Sequence, residues 1–165
     1  MTPPAPDDPP AIPGPPLDPG GLVNPDAAVP SRDAHGELSV LVAIALGGVI
    51  GAEARYGVGR LLPHTSHEFP LSTLVINTTG CLLIGLLMAV LLERTPVHRL
   101  ARPFLGVGIL GGYTTFSSFA VDADNLLRAD RIVVALSYVL STLVLGWLAV
   151  RIGLGAVRTF APDRR

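Results

Sequence analysis

The chain has 165 residues, of which 49% are hydrophobic and only 15% charged. With a mean hydropathy of +0.52 that averages in a polar N-terminus, this composition excludes an ordinary water-soluble globule. A formal net charge of -1 leaves no basic footprint for nucleic acid, and the single cysteine, Cys81, excludes an internal disulfide framework or a multi-cysteine zinc site.

Residues 1–36 hold eleven of the sixteen prolines, together with Asp7, Asp8, Asp18 and Asp26. Proline at this density removes backbone donors and fixes φ, and there is too little apolar surface for a core. The stretch reads as a disordered tail with polyproline-II character. It has neither the basic start nor the apolar centre of a signal peptide. A solvated extension is the plain reading; a ligand for an SH3-like or WW-like module is the sharper one.

After Gly36 the material changes. Leu38–Gly51, Pro70–Leu92, Pro103–Val121 and Ile132–Val150 are uncharged. Runs of about 18 or more mostly apolar residues match the hydrocarbon thickness of a bilayer. The first reaches that length only by continuing through Glu53 and Arg55. The pattern predicts four transmembrane helices near 38–60, 70–92, 103–126 and 131–155. They make a channel-sized domain over 37–157, followed by a short tail over 158–165. Turn and charge signals fall between the helices: Pro63-His64 and Phe69-Pro70, then Glu93-Arg94-Thr95-Pro96, then Arg128-Ala129-Asp130-Arg131. Strict alternation is absent, which disfavours a β-barrel.

All twelve basic residues are arginines. Four crossings put eight on the side of the termini and four on the other, which by the positive-inside rule favours cytoplasmic termini. Without Arg32, Arg164 and Arg165, in the chain ends, the count is five against four, and either orientation is open.

Polar residues inside the spans are informative because each is costly in hydrocarbon. The first helix carries Glu53 and Arg55; the second Thr73, Asn77, Thr78 and Thr79; the third Tyr113, Thr114, Thr115, Ser117 and Ser118; the fourth Ser137, Tyr138, Ser141 and Thr142. No histidine or carboxylate lies deep, which weakens a proton-coupled transporter, and no nucleophile–base set supports an enzyme. His64, His67 and His98 read as solvated loop residues. Gly47-x-x-x-Gly51 and Gly108-x-x-x-Gly112 suggest close helix contact. Gly106-Val107-Gly108-Ile109-Leu110-Gly111 matches a dinucleotide fingerprint in form only, since it lies inside an apolar span rather than between a strand and a helix.

Gly111-Gly112-Tyr113-Thr114-Thr115 is poor material for an unbroken helix. A break there frees backbone groups, tolerated at that depth only when buried in protein or lining a cavity. Freed carbonyls can hold a cation, and hydroxyls can serve an anion. Phe116 and Phe119, three apart, share a helix face, and their ring edges are electropositive. The plainer alternative is core phenylalanines with serines bonded to their own helix.

Three motifs then resemble the small fluoride channels called Fluc or CrcB: Gly48-Val-Ile-Gly51-Ala52-Glu-Ala-Arg55-Tyr56, Ser72-Thr73-Leu74-Val75-Ile-Asn77-Thr-Thr-Gly80, and Gly111-Gly112-Tyr113-Thr114-Thr115-Phe116-Ser117-Ser118-Phe119. The resemblance covers residues 38–155. It implies an all-α membrane protein of four transmembrane helices with the third broken, assembled as an antiparallel dual-topology dimer in the cell membrane. It implies passive, selective fluoride efflux through two pathways. A structural sodium ion (Na+) at the dimer centre would be held by the carbonyls of Gly111 and Thr114 from both subunits. Phe116 and Phe119 fall on the pore phenylalanines, Asn77 on the pore asparagine, whose amide can donate to fluoride, and Arg55 on a vestibule arginine. Ser118 and Tyr138 match polar-track positions, which Thr73 and Thr142 extend. Tyr113, Gly146 and Asp122 depart from the usual pattern, Asp122 standing where glutamate is common. The partner is a second copy of the chain or an oppositely oriented paralogue. A small four-helix multidrug exporter is the rival; it would need Glu53 as its membrane carboxylate.

Overall fold

The computed structural model describes residues 34–93 and 98–160. Almost all of the expected proline-rich tail, and residues 161–165, lie outside the described residues. Helix α1 spans Ala34–Leu61 and α2 spans Leu71–Glu93. A π-helical segment, Arg102–Leu110, passes into a single turn, α3, at Gly111–Tyr113. After two extended residues the chain re-enters a helix, α4, at Phe116–Arg128, and α5 spans Ile132–Phe160. Among the described residues, four stretches are long and apolar enough to cross a membrane: Gly36–Leu61, Leu71–Leu91, Arg102–Arg128 and Ile132–Ala156. The all-helical, four-span architecture expected from the hydropathy is therefore present.

The ends differ by a few residues from the hydropathy reading. Helix α1 starts at Ala34, inside the expected tail, with Glu37 in its first turn, where a carboxylate favours the positive end of the helix dipole. Helix α5 runs on to Phe160, because no breaker precedes Pro162. The tight connection between α4 and α5 places Asp130 at φ 56°, a left-handed conformation that aspartate accepts more readily than most residues.

Two pairs of glycine surfaces set the helix packing. A side chain at Gly47 would strike the Phe104 carbonyl, one at Gly51 the Ile109 carbonyl, and one at Gly112 would stand 2.5 Å from the Gly48 carbonyl oxygen. The two small-residue motifs thus bring α1 against the third span, backbone on backbone. Helices α2 and α5 meet in the same way, with a Cβ at Gly85 falling 2.5 Å from Val150 O and one at Gly153 2.5 Å from Leu82 O. The core proper sits where α2, α4 and α5 converge: Leu74, Leu126, Ala135 and Tyr138, flanked by Phe69, Phe119, Ala123, Val134 and Val139. Large apolar side chains elsewhere point outward, among them Leu41, Val49, Val133 and Leu143, as suits helices whose solvent is hydrocarbon.

Candidate functional site

The third span is broken where the sequence is poorest for a helix. Thr114 (φ -76°, ψ 158°) and Thr115 (φ -147°, ψ 120°) are both extended. An α-helix would give the Thr115 N–H to the carbonyl of Gly111. Here it goes instead to Asn77 Oδ1 at 2.9 Å, and Asn77 Nδ2 donates back to the Thr115 carbonyl at 2.9 Å. The side-chain amide thus imitates a backbone partner and satisfies both the N–H and the carbonyl that the break frees at buried Thr115. Thr115 also caps α4, since its Oγ1 accepts from Ser118 N at 3.2 Å while donating to Ser118 Oγ at 3.1 Å.

The break alters which carbonyls are free. The Gly111 carbonyl loses its helical donor, and there is open space around its Cα. The Thr114 carbonyl accepts from Arg55 Nη1 at 3.3 Å. Gly111 and Thr114 each carry a neutral carbonyl oxygen at the break, and the Arg55 guanidinium rests on that of Thr114. Thr114 is itself tied down, its N–H and its Oγ1 both donating to Leu110 O, at 3.0 and 2.9 Å.

Aromatic rings continue from the break into the core. Phe116 and Phe119 lie 5.9 Å apart between centroids, Phe119 and Tyr138 5.3 Å, and Tyr138 and Phe69 5.7 Å at an interplanar angle of 86°. Phe116 is 79% exposed and Tyr138 fully buried, so the row runs from the surface of the chain inward. The Tyr138 hydroxyl is buried without a hydrogen-bond partner, as is Thr78 Oγ1. A buried hydroxyl without a hydrogen-bond partner is costly, and those of Tyr138 and Thr78 can both serve a desolvated ion.

The remaining sequence-derived positions divide. Ser118 is at the cap, beside Phe119. Thr73 is buried, and its hydroxyl donates to Asp122 Oδ2 at 2.7 Å. Thr142 donates to the Tyr138 carbonyl at 2.8 Å, the ordinary back-bonding of a threonine to its own helix. Tyr113 has a role that an apolar residue could not fill. Thr79 Oγ1 gives its hydrogen to Val75 O at 2.7 Å, so at 2.8 Å the Tyr113 hydroxyl is the donor to Thr79. Gly146 lies against Cys81, whose Sγ would be 3.3 Å from a Cβ there. Phe69, His64 and Ser72 join this region without having been singled out by their spacing. An apolar groove of about 650 Å³, lined by Val42, Leu46, Leu100 and Phe104 among others, contains none of the residues at the break or in the aromatic row.

The family model described as CrcB-like protein, Camphor Resistance (CrcB) matches residues 42–154, which include every residue of this site. The chain belongs to the CrcB family. Similar curated members include Fluoride-specific ion channel FluC 2 of Streptomyces avermitilis, 47% identical over 109 residues, covering 66% of this chain and 69% of that one. The Fluoride-specific ion channel FluC of Paracoccus denitrificans is 49% identical over 111 residues, covering 67% and 88%, and FluC 2 of Nocardia farcinica is 40% identical over 131 residues, covering 79% and 94%. CrcB membership and four apolar spans make this a multi-pass protein of the cell membrane. It sets aside the multidrug exporter, whose one candidate carboxylate, Glu53, is exposed on α1.

Proposed function

We propose that this CrcB protein is a fluoride-selective channel that lets fluoride leave the cell passively, down its gradient, and so limits fluoride toxicity in the cytoplasm. The observation that carries the reading is the broken third span clasped by Asn77, with Phe116, Phe119 and Tyr138 leading away from it. Fluoride is small and holds its water tightly, so a dry apolar hole rejects it. A path for it must replace water with weak donors while leaving binding loose enough for exit. The second hydrogen of Asn77 Nδ2, the hydroxyls of Ser118 and Tyr138, and the electropositive edges of the phenylalanines are such donors. Arg55 supplies a fixed positive charge. Relatives named fluoride-specific ion channels, at 40–49% identity, support the same reading.

The assembly belongs to the proposal as well. Two chains in antiparallel orientation, either two copies or one copy with an inverted paralogue, would bring the two breaks together. Four neutral carbonyls, from Gly111 and Thr114 of each chain, would then hold a sodium ion that fixes the interface. Phe116, exposed on the single chain, would be covered.

The test is reconstitution into liposomes loaded with fluoride, with release followed by a fluoride electrode. Fast fluoride release with chloride retained is the expected result. No release above that of protein-free vesicles, or equal release of chloride, overturns the proposal.

A further inference from the structure

The connection between α1 and α2 holds two histidines of different character. His67 is exposed, as a solvated loop residue should be. His64 is folded onto the head of α2 and the side of α4. Its Nδ1 lies 3.0 Å from Ser72 Oγ and its Nε2 3.5 Å from Asp122 Oδ1. The side chains of His64 and Asp122 are only 20% and 16% exposed, and Ser72 and Thr73 are buried. Asp122 uses its other oxygen to accept from Thr73, and the Tyr138 hydroxyl stands near both. The polar row His64, Asp122, Tyr138 therefore leads into the aromatic row of Phe119 and Phe116.

We propose that His64 is a proton-responsive residue of the ion path, whose charge sets how strongly Asp122 repels an entering anion. This rests on the fluoride-channel reading. A carboxylate beside an anion path raises the barrier to entry, and at short range in a poorly hydrated setting one compensating charge is enough to lower it. Imidazole is the side chain whose charge ordinarily changes in the neutral range. With Nε2–H directed to Asp122, the neutral ring accepts the Ser72 hydroxyl proton at Nδ1. The imidazolium donates from both nitrogens, so Ser72 must turn to accept, and Asp122 gains a full counter-charge.

The other ionisable neighbours leave this pair in control. Glu68, in the same connection, feels the charge of His64, but its carboxylate accepts the Thr65 N–H at 2.8 Å. Arg60, at the end of α1, directs Nη1 to the Tyr56 hydroxyl at 3.2 Å. Tyr138 on α5 faces Asp122, and α2 contributes only the non-titrating Ser72 and Thr73.

The experiment measures fluoride release from proteoliposomes at about pH 8 and about pH 5.5, the range over which imidazole charges. Protein-free vesicles correct for leakage of hydrofluoric acid. The wild-type chain should release fluoride at least about fivefold faster at the lower pH, the factor that one unit charge about 4 Å away gives even in bulk water. His64→Gln should be slow and level, His64→Arg fast and level, and Asp122→Asn should lose the slope with His64 in place. A level wild-type profile, or an unchanged slope in His64→Gln, overturns the inference; the wild-type profile decides alone if a variant does not fold. Flux without pH dependence removes this inference only, whereas absence of fluoride flux at both values removes the channel reading with it.

Discussion

Asn77 and Thr115 are joined by a two-way clasp: amide nitrogen to carbonyl and backbone nitrogen to amide oxygen, both at 2.9 Å. The side chain that the motif marks as an ion contact is thus also the support of the break, and only its second Nδ2 hydrogen is left for an anion.

Asn77→Ala should therefore act twice. It strands a buried N–H and a buried carbonyl at Thr115, a loss of about 2–4 kcal/mol for two hydrogen bonds whose partners stay unsatisfied. A lowered unfolding temperature in detergent, together with loss of fluoride flux, is the expected outcome. Full stability with lost flux would mean that the clasp carries no weight.

The glycines separate into two groups that behave oppositely. Gly51 faces the Ile109 carbonyl and Gly112 the Gly48 carbonyl, whereas nothing lies within 4 Å of a Cβ at Gly57. Gly51→Ala and Gly112→Ala should force α1 off the third span and cost about 1–3 kcal/mol, as overpacking does. Gly57→Ala should be neutral, or stabilising by up to about 1 kcal/mol through helix propensity. Unfolding of the three variants side by side in detergent checks the order.

These glycines also show how far the sequence alone can be followed. The four-residue spacings of Gly47, Gly51, Gly108 and Gly112 mark one face of each helix, and that face is where the two backbones touch. Gly85 and Gly153 make an equally close contact between α2 and α5, yet neither has a second glycine four residues away in its helix, so no such spacing announces it. The break at Thr114 and Thr115 was legible because propensity fails there locally. The bonding of Asn77 was not, because its partner is 38 residues away and the amide could as well have served an ion. His64 reads as a solvated loop residue for the same reason: nothing near it in sequence says that α4 will bring Asp122 alongside.

Glu68 gives a pH dependence with a definite sign. The Thr65 backbone N–H, with help from the Thr65 hydroxyl and the nearby His64, holds its carboxyl below the usual carboxylate range. A carboxyl lowered on folding contributes above its unfolded value and ceases to contribute as pH falls through the lower folded value. The turn at Thr65–Glu68 should therefore keep its bond at neutral pH and open only in acid. NMR titration of Glu68 should find the lowered midpoint, and Thr65→Ala, which keeps the N–H and loses the hydroxyl, should move it part of the way back.

Phe116 and Phe119 distinguish folding from conduction. Phe119 packs on Tyr138 inside the cluster formed by Leu74, Leu126 and Ala135, and its truncation should cost about 3 kcal/mol, near the lower end for a buried phenylalanine because it is only partly covered. Phe116 is 79% exposed on the single chain and has little packing to lose. Phe116→Ala should leave the chain's own fold intact and still abolish fluoride release, because the ring edge and the covered interface are removed together. Cross-linking of the purified variant then separates the two causes. A dimer that forms but does not conduct assigns the loss to the path. A monomer assigns it to the interface, and unchanged flux would take Phe116 out of both.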